Sequence, residues 1–211
     1  MQPEGAVHAA RLSLDYPERD LNRLTTFFRL FAVLPILIVL GSVSGEAWQW
    51  SSEQGTDAAV AAGGLLFLGP LLMILFRQKY PRWWFDFNVQ LTRFSTRVTS
   101  YLALMSDRYP STDDEQWVHL DLDYPDVKRD LNRWLPLVKW LLAIPHYIVL
   151  FFLGIAAVFA VIVAWFVILF TGRYPRGIFD FVEGVLRWGL RVEAYALLLV
   201  TDSYPPFRLT P

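Results

Sequence analysis

Trp140–Phe170 reads WLLAIPHYIVLFFLGIAAVFAVIVAWFVILF, 31 residues without a charge. As a single straight helix it would be about 46 Å long at 1.5 Å per residue. A bilayer's hydrocarbon core is only about 30 Å thick. The stretch is therefore expected to fold as a hairpin of two helices reversing near Phe151–Gly154, its first leg borrowing Trp134–Lys139 to reach the interface.

Two further apolar stretches lie upstream. Leu24–Gly45 carries one charge, Arg29, and Ala58–Phe76 carries none. Each suits one crossing, which predicts four crossings in all. The cations follow the same plan. All 19 Lys and Arg fall within 11–29, 77–108, 128–139 and 173–208. Four crossings put these segments on one side, and loops rich in Lys and Arg stay cytoplasmic. The opposite loop, 44–57, has Glu46, Glu53 and Asp57 but no cation, and its Trp48 and Trp50 suit the outer interface. Both termini are then expected in the cytoplasm. Residues 1–23 read as polar, without a secretory leader.

Composition agrees with a membrane class. The 211 residues are 55% apolar and 18% charged, with mean hydropathy +0.34, against about 45–50% and 25% in soluble domains. Cysteine is absent, so disulfides and thiolate metal sites are excluded. A net charge of −1 provides no global field for nucleic acid.

The two halves repeat. Leu14-Asp15-Tyr16-Pro17 returns as Leu122-Asp123-Tyr124-Pro125, and Arg19-Asp20-Leu21-Asn22-Arg23 as Arg129-Asp130-Leu131-Asn132-Arg133. Arg29 matches Lys139 and Pro35 matches Pro145. Tyr80-Pro81-Arg82 matches Tyr174-Pro175-Arg176, and Arg93, Arg97 and Tyr101 match Arg187, Arg191 and Tyr195. The first repeat is read as 1–110, with a hairpin at about 24–77 and an amphipathic helix at about 82–105. The second is read as 111–211, with a hairpin at about 134–171 and an amphipathic helix at about 176–200. An even number of crossings per repeat makes the repeats parallel. Arg11–Leu14 and Val118–Leu122 alternate apolar and polar residues, which predicts two strands that pair with each other. The amphipathic helices are expected in the headgroup layer, apolar face down. The fold class is thus an all-α membrane protein: four transmembrane helices as two parallel-repeat hairpins, two amphipathic interfacial helices and a short β-ribbon on the cytoplasmic side.

Leu141-Leu142-Ala143-Ile144-Pro145-His146-Tyr147, Phe170-Thr171-Gly172-Arg173-Tyr174-Pro175 and Thr201-Asp202-Ser203-Tyr204-Pro205-Pro206-Phe207 resemble a family of uncharacterised bacterial membrane proteins, a domain of unknown function common in actinobacteria. The first half joins through the repeat, as a tandem duplication, with departures. Leu34-Pro35-Ile36 lacks the His-Tyr pair, and Arg77-Gln78-Lys79 stands for Thr-Gly-Arg. The resemblance implies a small multi-pass protein of the bacterial inner membrane and supplies no reaction.

His146 is the one histidine inside an apolar stretch, where an ionisable group is a functional candidate. A structural hydrogen bond is the simpler reading, since a metal site needs several ligands at fixed spacing. Arg29 and Lys139 sit just inside matching helices. They read as snorkelling anchors, or as anionic headgroup sites completed by Arg93 and Arg97, or by Arg187 and Arg191. No catalytic constellation, metal ligand set or cofactor motif is present in the sequence. The expected function is non-enzymatic: an accessory or scaffold subunit beside a larger membrane protein, or in a homo-oligomer. A small-solute or ion transporter or channel, and an anionic-lipid-binding protein, are the alternatives.

Overall fold

A computed structural model describes residues 8–18, 20–44 and 68–211. The expected outer loop, with Trp48 and Trp50, and the start of the second apolar stretch lie outside the described residues. Alternation produces the two expected strands. β1 (Ala10–Leu14) and β2 (Val118–Leu122) pair antiparallel, Leu12 opposite Leu120, with Ala10, Leu12, Leu14, Val118 and Leu120 buried on one face.

The first apolar stretch is not one helix. It breaks into α1 (Arg23–Phe27), α2 (Arg29–Ala32) and α3 (Leu34–Ser44). Asn22 starts α1 by accepting the Leu24 and Thr25 amides on its side chain. The break before α3 precedes Pro35, whose ring removes a helix N–H and crowds the preceding turn. α4 (Leu68–Arg77) ends in a π-helical turn over Met73–Arg77. α5 (Arg82–Leu102) follows.

After α6 (Val127–Asp130), α7 (Pro136–Leu142) stops at Ala143, ahead of Pro145, and α8 (Ile144–Thr171) begins. Here the expected hairpin is corrected: α8 is one continuous 28-residue helix through Phe151–Gly154. A lone glycine costs a helix only about 1 kcal/mol, and no other turn-forming residue stands between Phe151 and Phe170. The break at Ala143 has already shortened the segment to about 42 Å. Gly172 ends α8 in the left-handed region at φ 78°, its N–H bonded to Ile168 O, a position that favours glycine. α9 (Arg176–Ala196) completes the fold.

Among the described residues, α8 alone is long and apolar enough to cross a membrane. Four transmembrane helices are therefore not supported; Arg29–Ser42 and Leu68–Arg77 are shorter apolar helices.

Both ends of α8 are held by the body of the protein. Near its start, Ala143 and His146 are buried against α9. Near its end, Ala164 and Ile168 are fully buried, and Trp165 Nε1 donates to Thr26 O of α1 at 3.2 Å. The surface between is apolar and exposed. α9 is enclosed by β1 and α8. Its arginine face, expected among lipid headgroups, is instead covered by protein.

Candidate functional site

Arg29 and Lys139 define two matching buried nodes. Arg29 Nη1 donates to Tyr101 O at 2.9 Å and to Ser106 O, and Nη2 to Asp107 Oδ1 at 2.5 Å. Its guanidinium lies 4.2 Å from the Tyr101 ring centroid. Lys139 Nζ donates to Thr201 O at 2.7 Å and stands 2.7 Å from Asp202 Oδ1, with the Tyr195 ring centroid 5.2 Å away. The two acids also accept from matching backbone amides, Asn22 N on Asp107 and Asn132 N on Asp202, each at 2.6 Å.

Each node depends on an unusual turn. Leu104 and Leu199 adopt φ of 66° and 58°, both with buried side chains. Such a conformation costs a residue with a Cβ on the order of 1–3 kcal/mol, offset here by burial. Directly after the turn come the Ser106 and Thr201 carbonyls that face the cations. Arg29 and Lys139 are thus turned into the protein and joined to acids, rather than open to a headgroup layer as a snorkelling anchor would be.

The other four arginines expected at headgroup sites tie segments together. Arg93 Nε donates to Leu120 O of β2, and Arg187 Nε to Leu12 O of β1, both at 2.9 Å. Arg97 Nη1 reaches Ser111 O at 3.0 Å, and Arg191 Nη1 reaches Thr210 O at 3.0 Å. Arg187 also bonds Leu209 O and Glu183.

These contacts cross between halves. β1 belongs to the first half and lies on α9 of the second; β2 belongs to the second and lies on α5 of the first. Tyrosines repeat the crossing. Tyr16 Oη donates to Tyr174 O and Tyr124 Oη to Tyr80 O, both at 2.5 Å. In turn Tyr174 Oη donates to Ala103 O and Tyr80 Oη to Leu198 O. Burial pushes the Tyr80 and Tyr174 hydroxyls well above the ordinary phenol range, so they remain protonated donors. Arg176 lies over the Tyr16 ring, and Arg82 over Tyr124.

His146 has no counterpart in this symmetry, since Ile36 holds the matching place. It is fully buried. Its Nδ1 accepts from Trp188 Nε1 at 3.1 Å, which places the proton of a neutral ring on Nε2. Phe207 stacks on the ring at 4.0 Å between centroids. Among the described residues no group of three or more His, Asp or Glu is placed to hold a metal. His146 thus has one hydrogen bond, through Nδ1, while its Nε2 is buried without a partner among the described residues.

Sequence reading missed the acids Asp107 and Asp202. Their signal was available: each stands two residues before the Tyr-Pro that closes its half. It also missed Trp188 and Phe207, which only the folding of α9 and the tail brings to His146.

Residues 134–208, which include Lys139, His146, α8, α9 and Asp202, match a family model described as a domain of unknown function, DUF4389. The chain matches no curated protein and no solved structure.

Proposed function

We propose that this protein is a non-enzymatic accessory or scaffold subunit of the bacterial cell membrane, built from two copies of the family unit and anchored through α8. The observation that supports this reading is the surface of α8. Phe151, Phe152, Val158, Phe159, Phe166 and Phe170 are each more than half exposed. Contiguous apolar surface of this extent in water marks a membrane or protein contact. The polar side chains also favour a scaffold: Arg29, Lys139, Arg93 and Arg187 are engaged in joining segments.

The test has two stages. Wild-type protein should stay in the membrane fraction through alkaline carbonate washing, and Phe152→Asp with Phe159→Asp should release it. Purification in a gentle detergent, followed by native mass spectrometry, should then give a stoichiometric complex with a membrane protein or a second copy. Wild type in the soluble fraction would refute the anchor. A membrane-extracted protein that is always a lone monomer would refute the accessory role.

A further inference from the structure

Beside β1 and the last residues of the chain lies a hollow of about 520 Å³, whose walls include His8, Ser13, Arg187, Arg191, Arg208 and Pro211. That is the size of a small-molecule site. Gly184 permits its construction. A Cβ there would lie 2.8 Å from Leu209 Cβ, so only glycine lets the tail rest on α9 without displacing it. The docked tail turns the Arg208 and Thr210 carbonyls toward Arg191 Nη1.

The charges around the hollow do not balance. Arg187 is joined to Glu183, Arg93 to Asp121, Arg11 to Asp123 and His119 to Asp15. Among the described residues no carboxylate pairs with Arg191 or Arg208. Arg191 is 3% exposed, and its Nε is buried without a hydrogen-bond partner. A buried guanidinium in this state is costly unless an anion meets it. Arg208 is exposed. His8 adds no third charge at neutral pH, because burial, Arg191 and Arg208 hold its ring below the ordinary histidine range, against the backbone groups of Ala10 and Ser203.

The first half supplies an internal control. Its matching residue, Arg97, is 2% exposed and also has an unpartnered Nε. Burial and Arg93 hold Arg97 below the ordinary arginine range, yet Asp114, Glu115 and Asp113 act on it in the opposite direction. Asp121 also lines the hollow, but it is joined to Arg93; burial, Arg208 and Arg187 all act on Arg191 in the one direction, with no acid opposing them.

We propose that the Arg191–Arg208 hollow binds a phosphate monoester, whose two negative charges match the two uncompensated guanidiniums. Arginine's planar fork suits phosphate oxygens. The ligand can come from solution, as a small phosphate ester, or from the bilayer, as the headgroup of phosphatidic acid. This inference stands apart from the scaffold reading, because it requires neither a partner protein nor insertion of α8.

The test uses the purified full chain in a neutral detergent. Glycerol 3-phosphate is titrated calorimetrically, and nanodiscs containing phosphatidic acid are compared with nanodiscs of phosphatidylcholine alone. Arg208→Gln should weaken binding at least ~10-fold, the scale of one lost charge-assisted contact. Because the Arg208 side chain makes no hydrogen bond among the described residues, an unchanged melting temperature should accompany that loss. Arg108→Gln, an exposed arginine elsewhere, should bind as wild type. Binding of the soluble ester identifies the solution source; binding only in phosphatidic acid nanodiscs identifies the lipid. Failure of both probes to bind wild type, or equal affinity of wild type and Arg208→Gln, would overturn the proposal. Either result leaves the carbonate and native-mass tests of the scaffold reading untouched.

Discussion

Replacing Asp202 with Asn removes the counter-charge of a lysine that has no access to water. Lys139's side chain is 0% exposed and that of Asp202 is 21% exposed, with 2.7 Å between Nζ and Oδ1. Asn retains an oxygen for the Asn132 amide, so the change isolates the charge. Nζ would keep only the Thr201 carbonyl as an oxygen partner. Breaking a buried pair by removing one partner costs about 3–5 kcal/mol, equivalent to about 6–20 °C in melting temperature for a chain of this size. The exposed pair Arg11–Asp123, with side chains 46% and 55% exposed, is the comparison; Asp123→Asn should cost about 0–1 kcal/mol. Adding Lys139→Met to Asp202→Asn should recover most of the loss, since removing both partners leaves no stranded charge. Thermal unfolding of all four proteins in one detergent is the assay. An Asp202→Asn protein that melts with wild type would refute the claim that Asp202 compensates the buried charge of Lys139. So would a double variant less stable than the single one.

Glu193, whose carboxylate accepts from Thr92 Oγ1 alone among the described residues at 3.5 Å, is held above the ordinary carboxyl range by burial. The folded protein therefore holds this proton more tightly than the unfolded chain, and the contribution is lost as pH rises through the folded value. Glu193→Gln should raise stability at pH 7, with the advantage over wild type shrinking as pH falls through the carboxyl range in denaturation curves. Trp188→Phe strands His146 Nδ1 in the core and should cost about 1–3 kcal/mol by the same melts; no change would mean that this hydrogen bond is not formed. Arg187→Met breaks bonds to Leu12 O and Leu209 O, so hydrogen exchange of the β1 amides should accelerate, while those of β2 change little.

The strands were legible because alternation over five residues has one structural meaning when the partner strand carries the same pattern. The breaks before Pro35 and Pro145 went unread, because both prolines stood only as repeat partners, although a missing N–H acts locally. The path of α8 was not legible either. Its residues contain no stop signal, and the hairpin expectation came from comparing length with membrane thickness, a constraint outside the chain. The arginine faces of α5 and α9 read as polar whether they met water, headgroups or the carbonyls of distant strands. Periodicity marks a face but does not name what covers it. Arg29 and Lys139 were visible as a matched pair, whereas their burial depended on Asp107 and Asp202, more than 60 residues away in each case.

The crossed contacts have a consequence for synthesis. When the ribosome has released the first hundred residues, α5 has not yet met β2, and β1 has no α9 to rest on. Tyr16 waits for an acceptor 158 residues downstream. At about 5–20 residues per second, that interval is on the order of 10–30 s, during which the nascent chain carries open strand edges beside apolar helices. The finished protein closes only when its last fifth emerges from the exit tunnel. A nascent half therefore carries those surfaces uncovered until its other half arrives.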